Sequence, residues 1–253
     1  MYLRPPARGA ELLVADDSRS ARLLARGDAL AVRLAREPLR NLTLALCAIP
    51  VLAACLALVG EAAFADRAAF FRELAPATFL SFGMLLLVAA TARALHLRDG
   101  DGAAWWRSFW GLSAAVFCVF AFDEITQSAI FLADLLEHVF ALTPGAGFKD
   151  LEAALLTLLF VAAGLILLPR ALVLLRHPSA LALLVLGALL GAASQGLDSF
   201  APHTQWEFVA EETLKLLAGA CFAGGFLVAL RDVLRREEVL MPARAADAPE
   251  PAA

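Results

Sequence analysis

Trp206-Glu207-Phe208-Val209-Ala210-Glu211-Glu212-Thr213-Leu214-Lys215-Leu216-Leu217 leads into the last long apolar run of the chain, which continues to Leu230 broken only by glycines. A run of this kind reads as a membrane-spanning helix, yet it carries charges where a bilayer has no water to solvate them. Each such charge costs about 2.5–3.5 kcal/mol on insertion scales unless it is paired or faces a cavity. Glu211 and Lys215 are four apart, share a helical face and can pair. Glu212 points about 100° away and needs another partner. The rest of the chain reads as a scaffold that brings partners to this point.

Composition fits a membrane scaffold. The 253 residues are 61% hydrophobic, with a mean hydropathy of +0.74, against roughly 45–50% apolar residues in soluble domains. Six apolar segments run at about Asn41–Gly60, Ala77–Leu97, Ala104–Phe122, Leu151–Leu168, Ala180–Leu197 and Thr213–Leu230. At 1.5 Å per residue each is long enough to cross a core of about 30 Å. Pro76, Gly100-Asp101-Gly102, Pro144-Gly145, Pro178 and Pro202 punctuate the connections. The expected fold is an all-α, polytopic membrane protein of about six transmembrane helices, with no internal repeat and no second domain. Cys47, Cys55, Cys118 and Cys221 all fall in apolar segments without metal or redox spacing, so they read as small hydrophobes.

Charge gives the orientation. Counted over alternate sides of the six segments, Arg and Lys divide 17 against 3, with Lys215 left inside the membrane. The positive-inside rule then places both termini in the cytoplasm. The excess of Arg over Lys looks like the coding bias of a GC-rich bacterium, so the expected site is the cell inner membrane. A net charge of −4 implies no nucleic-acid partner. The arm over residues 1–39 carries Arg19, Arg22, Arg26 and Arg33 at helical spacing, with Leu23, Leu30 and Leu34 as another stripe. It suits either an amphipathic helix on an anionic leaflet or a solvated tail. It is not a signal peptide, since the first apolar run begins late and lacks a clear cleavage site. Residues 40–232 form the membrane domain, and 233–253 read as a disordered cytoplasmic tail.

In this orientation acidic residues gather at the outer ends of the spans. Asp123 and Glu124 end the third, Asp198 ends the fifth, Glu211 and Glu212 open the sixth, and His203 lies in the last outer connection. After Phe122 no Pro or Gly occurs before Pro144, so the third helix is expected to continue to about Phe140, some 55 Å in all. On it Asp123, Gln127, Asp134 and His138 would form one stripe. A helix nearly twice the thickness of the core must project outward or bend along the surface. Gly187 and Gly191 make a GxxxG, and Gly219, Ala220, Ala223, Gly224 and Gly225 a small face on the last span; such residues let helix backbones approach.

The candidate polar site is therefore Asp123, Glu124, Gln127, Asp198, His203, Glu211, Glu212 and Lys215, with the four acids at positions 123, 198, 211 and 212 expected in one pocket. Three roles stay open. Asp123, Glu124, Asp198, His203 and Glu212 are residue types that hold a divalent metal ion and would let it activate water. The same acids suit proton or cation transfer. They also suit internal pairs that fix helix packing.

Glu211-Glu212-Thr213-Leu214-Lys215 resembles the EExxK element of PrsW-like intramembrane metalloproteases. That family places further glutamate, asparagine and histidine motifs on later spans, and this chain has no later span, which argues against the assignment. The chain is more similar overall to uncharacterised bacterial multi-pass proteins with a DE pair ending one span, an HE pair shortly after, and EExxE or EExxK opening the last. Asp123-Glu124 and Glu211-Glu212-Thr213-Leu214-Lys215 match in order and placement, whereas Ala129-Ile130 stands about where the HE belongs. A looser similarity to ceramidase-type seven-span hydrolases, with acidic and histidine zinc ligands, is opposed by span count and histidine number. The functional expectations are a metal-dependent hydrolase acting on a lipid or peptide at the outer face, a proton- or cation-coupled carrier, or a non-catalytic membrane partner subunit.

Overall fold

A computed structural model describes residues 26, 29–35, 37–71, 75–99, 104–140, 151–200 and 204–246. They are helical almost throughout, with no strand among them: α1 (Pro38–Phe64), α2 (Pro76–Asp99), α3 (Phe109–Thr126), α4 (Ser128–Phe140), α5 (Leu151–Leu167), α6 (Pro178–Phe200) and α7 (Gln205–Ala246). A 3-10 turn at Trp105–Arg107 precedes α3, and a 3-10 segment at Leu168–Arg176 extends α5. Six helices are long and apolar enough to cross a membrane, so the chain is an all-α, multi-pass membrane protein.

The helix limits follow from local chemistry. Proline opens α1, α2 and α6, where its missing N–H is not needed. Ser108 caps α3, its hydroxyl accepting from the Gly111 N–H. Ala65 turns left-handed (φ 54°) after α1, and its N–H closes back on Glu61 and Gly60. The returning chain crosses Gly60 so closely that a Cβ there would sit 2.5 Å from the Asp66 carbonyl oxygen. Thr204 and Glu207 form a capping box at the start of α7: the Glu207 N–H donates to Thr204 Oγ1 (3.1 Å) and the Thr204 N–H to Glu207 Oε2 (3.0 Å). The last helix thus starts about two turns before the expected Thr213.

The expected continuous helix from Ala104 to Phe140 is broken. Gln127 adopts φ 53°, ψ 39°, ending α3, and α4 begins one residue later. Asp123 stabilises the bend, its Oδ1 accepting from Ser128 Oγ (2.6 Å) and from the Ala129 N–H (2.9 Å). The carboxylate that ends one helix therefore caps the next. The expected stripe is divided between two axes, and Asp134 and His138 lie exposed on α4.

The last helix is the core of the bundle. Within its most apolar window 72% of residues are buried by protein, against 6% for Leu151–Arg176. Helices α6, α2 and α1 pack along α7, α3 packs on α2, and α4 lies against α5. Two buried clusters flank the α7 axis. One gathers Leu42, Ile49, Phe71, Val209 and Leu216; the other gathers Val88, Leu95, Trp110, Phe117, Phe226 and Leu230. Lipid tails are as apolar as leucine, so close packing rather than water exclusion holds such helices together. The small residues supply it. A Cβ on Gly187 would lie 3.2 Å from the Ala218 carbonyl oxygen, and one on Gly225 2.9 Å from Leu184 Cδ2. Ala31 and Ala35 of the N-terminal arm are fully buried in the second cluster, whereas Leu30 is exposed. This stretch of the arm therefore packs on protein through its alanines, with Val32 and Leu34 of the same stretch half-buried against them. Arg19, Arg22 and Leu23 lie outside the described residues.

Candidate functional site

The charged residues of α7 converge with the end of α3. Lys215 Nζ lies 2.6 Å from Glu212 Oε1 and 3.8 Å from Glu124 Oε1. Lys215 thus makes an i,i+3 pair with Glu212, the acid for which the spacing suggested another partner. Glu211 is buried and near enough for its charge to act on Lys215. Two further helices packed on this level each contribute a polar group. Ser81 of α2, itself buried, hydrogen-bonds Glu124, and Ser194 Oγ of α6 donates to the Glu211 carbonyl oxygen (3.1 Å). Because the capping box starts α7 at Gln205, Glu212 sits about 10 Å into the helix. Backbone geometry thus carries the acids below the helix end.

Exposure separates the members. The Glu212 side chain is 6% exposed and Glu124 15%, whereas Lys215 is 37% exposed, so the cluster opens along the lysine. Glu212 Oε2 is buried with no hydrogen-bond partner among the described residues. If all ionised, Glu124, Glu211 and Glu212 bring three negative charges to one ammonium. In surroundings of low dielectric such an excess calls for a further positive charge.

The other candidates are placed differently. Asp123 is a neighbour of Glu124, but its Oδ1 is committed to the start of α4. Gln127 is the left-handed residue of the bend. Asp198 Oδ2 accepts from Gln195 Nε2 (3.2 Å), which also reaches Ser199 (3.2 Å). Ser199 in turn meets Thr157 of α5 (3.5 Å). His203 lies outside the described residues. Among the described residues no three of His, Cys, Asp and Glu form a group that could hold a metal ion, so the ligand set Asp123, Glu124, Asp198, His203 and Glu212 is not assembled among them. Arg67, near the same end, pairs with Glu61 (3.0 Å) and lies over the Trp206 ring (4.8 Å).

Sequence reasoning passed over Ser81 and Ser194, which look like ordinary small residues of apolar helices and carry no motif. It also passed over Thr204-Gln205-Trp206-Glu207, whose T-x-x-E pattern is the sequence signature of a capping box and was there to be read. No family model, curated protein or solved structure matches the chain.

Proposed function

We propose that the protein is a proton-coupled membrane carrier whose exchange site is the Glu124–Lys215–Glu212 cluster. One observation carries the reading: Glu212 is bound by an ammonium at Oε1 and presents a buried, unpartnered Oε2. A proton on Oε2 offsets one negative charge without a coordination shell. A metal or alkali ion needs several oxygen ligands around one point, and at this point Lys215 already supplies the cation. Neighbouring ammonium and metal charges repel, which makes the hydrolase reading the weaker one. The 17-to-3 division of Arg and Lys supports an orientation with both termini in the cytoplasm and the cluster toward the outer side of a bacterial inner membrane.

Infrared titration of the purified protein tests the site. A protonated carboxyl C=O band that grows on acidification in the wild type is expected to shrink in Glu212→Gln and persist in Glu207→Gln. Acid-driven proton uptake into proteoliposomes should fall at least ten-fold in Glu212→Gln. An unchanged band and unchanged uptake in that variant would remove the proposal. Stoichiometric bound metal, lost in Glu212→Gln, would return the hydrolase reading.

A further inference from the structure

The opposite end of α7 holds a second buried ionisable group that the carrier reading does not use. His177 joins the 3-10 segment Leu168–Arg176 to α6 and is 0% exposed. Its backbone ties both sides, its N–H donating to Leu174 O and its C=O accepting from the Leu181 N–H, each at 2.9 Å. Its ring Nδ1 lies 3.3 Å from Asp232 Oδ2 of α7, and Nε2 is buried with no hydrogen-bond partner among the described residues. The Trp110 ring stands edge-on at 6.0 Å.

Charged groups among the described residues stand near this ring. From α7 come Asp232 and Arg236, the latter donating to the Arg176 carbonyl oxygen (3.2 Å). The connection itself contributes Arg176. From α3 the neighbour is Trp110, whose Nε1–H donates to Asp99 of α2 (3.2 Å). Arg98 and Glu237 pair at 2.6 Å where the ends of α2 and α7 meet.

We infer that His177 and Asp232 form a proton-binding site that clasps the α5–α6 connection to α7, and that proton uptake at Nε2 opens the clasp. A neutral imidazole carries one N–H. Asp232 is an acceptor, so that N–H sits on Nδ1 and Nε2 keeps a bare lone pair, which an apolar wall tolerates. Hydronium passes a proton to this lone pair: an N–H bond forms, the hydronium O–H bond breaks and water leaves. The product is a charged ring with a second N–H and no acceptor beside it, a costly state in an apolar pocket. Asp232 favours the charged ring but is engaged at Nδ1 and cannot also serve Nε2. The new N–H must therefore reach water, which requires the connection to move. Histidine is the side chain whose ordinary titration falls between about pH 5 and 8.

This site is independent of the acidic cluster. Twenty residues of α7 separate Glu212 from Asp232, about 30 Å of helix. Between the two ends Phe117 packs on Phe222 (5.2 Å) and Phe226 (5.7 Å), and Phe226 on Trp110 (5.8 Å). Aromatic rings thus occupy the level between the two sites.

Hydrogen exchange of the full chain in nanodiscs, corrected for intrinsic rates, reads the clasp through the amides of residues 168–177. Protection there is expected to fall at least five-fold between pH 8 and pH 5.5, and to be flat in His177→Gln. Asp232→Asn should change that profile, because the carboxylate that holds the Nδ1–H is gone. A flat wild-type profile, or the same profile in both variants, overturns the inference. Should His177→Gln fail to fold, ¹⁵N spectra of the histidines of the wild type decide. A bare nitrogen of His177, assigned through Asp232→Asn, must become protonated over the same range, and its absence overturns the inference equally.

Discussion

Lys215 is the residue on which the acidic cluster rests. Replacing it by methionine leaves Glu212 and Glu124 without their cation. The lysine is partly exposed, so the loss is set by charged hydrogen bonds rather than by a sealed ion pair: roughly 1.5–3 kcal/mol. Reversible unfolding in mixed micelles should show it. Adding Glu212→Gln to Lys215→Met should recover part of the loss, since the uncompensated charge is then removed as well. Strict additivity of the two changes would mean that the 2.6 Å contact contributes nothing. Gln127 poses the opposite case. A non-glycine residue in the left-handed region is held there at a cost of about 1–2 kcal/mol. Gln127→Gly is therefore expected to stabilise the protein by up to about 1 kcal/mol. A loss of stability in the same unfolding experiment would show that the glutamine side chain contributes more than its backbone costs.

At the scale of elements, packing is decided by where small residues fall on a helix. Gly187 faces α7 at near backbone contact, whereas Gly164 on α5 has nothing within 4 Å of its would-be Cβ. The two glycines should respond oppositely to one added methyl group. Gly187→Ala pushes against the Ala218 carbonyl and the Phe222 ring and is expected to cost about 1–3 kcal/mol. Gly164→Ala enters open lipid-facing space and gains helix propensity, by at most about 1 kcal/mol. Thermal unfolding of the two variants side by side measures the contrast, and equal effects would contradict the α6–α7 contact. The bend at Gln127 belongs to this scale too. Asp123→Ala removes the acceptor for two donors at the start of α4, a capping loss of roughly 0.5–2 kcal/mol. Hydrogen exchange should localise that loss to residues 128–134.

For the whole molecule, the central place of α7 concentrates the ionisable groups on one axis. Both the Glu212–Lys215 pair and the Asp232–His177 pair are held by this helix, and the helices around it supply Glu124, Ser81, Ser194 and His177. The Arg and Lys division predicts which end faces the cytoplasm. A reporter active only outside, fused after Ala253, should stay dark, and a bright signal would reverse the orientation and move the acidic cluster to the inner side.

Six spans, their helical character and their approximate limits were legible because a bilayer leaves a chain few options: long apolar runs must satisfy their own backbone hydrogen bonds, and helices do so locally. The small face of the last helix was legible for a related reason, since glycine and alanine at fixed spacing declare a close approach whatever the partner. Which carboxylate Lys215 would choose was not. Spacing pointed to Glu211, whereas the Lys215 ammonium lies 2.6 Å from Glu212 and 3.8 Å from Glu124 of α3, a residue 91 positions away. The bend at Gln127 was hidden as well, because no proline or glycine marks it and the hydrogen bonds of Asp123 reach across the turn. His177 gave no sign at all in the chain, where it precedes a proline in a basic loop. Its burial against Trp110 and Asp232 exists only once three helices have closed around it, because a side chain's dielectric surroundings are a property of its neighbours in space.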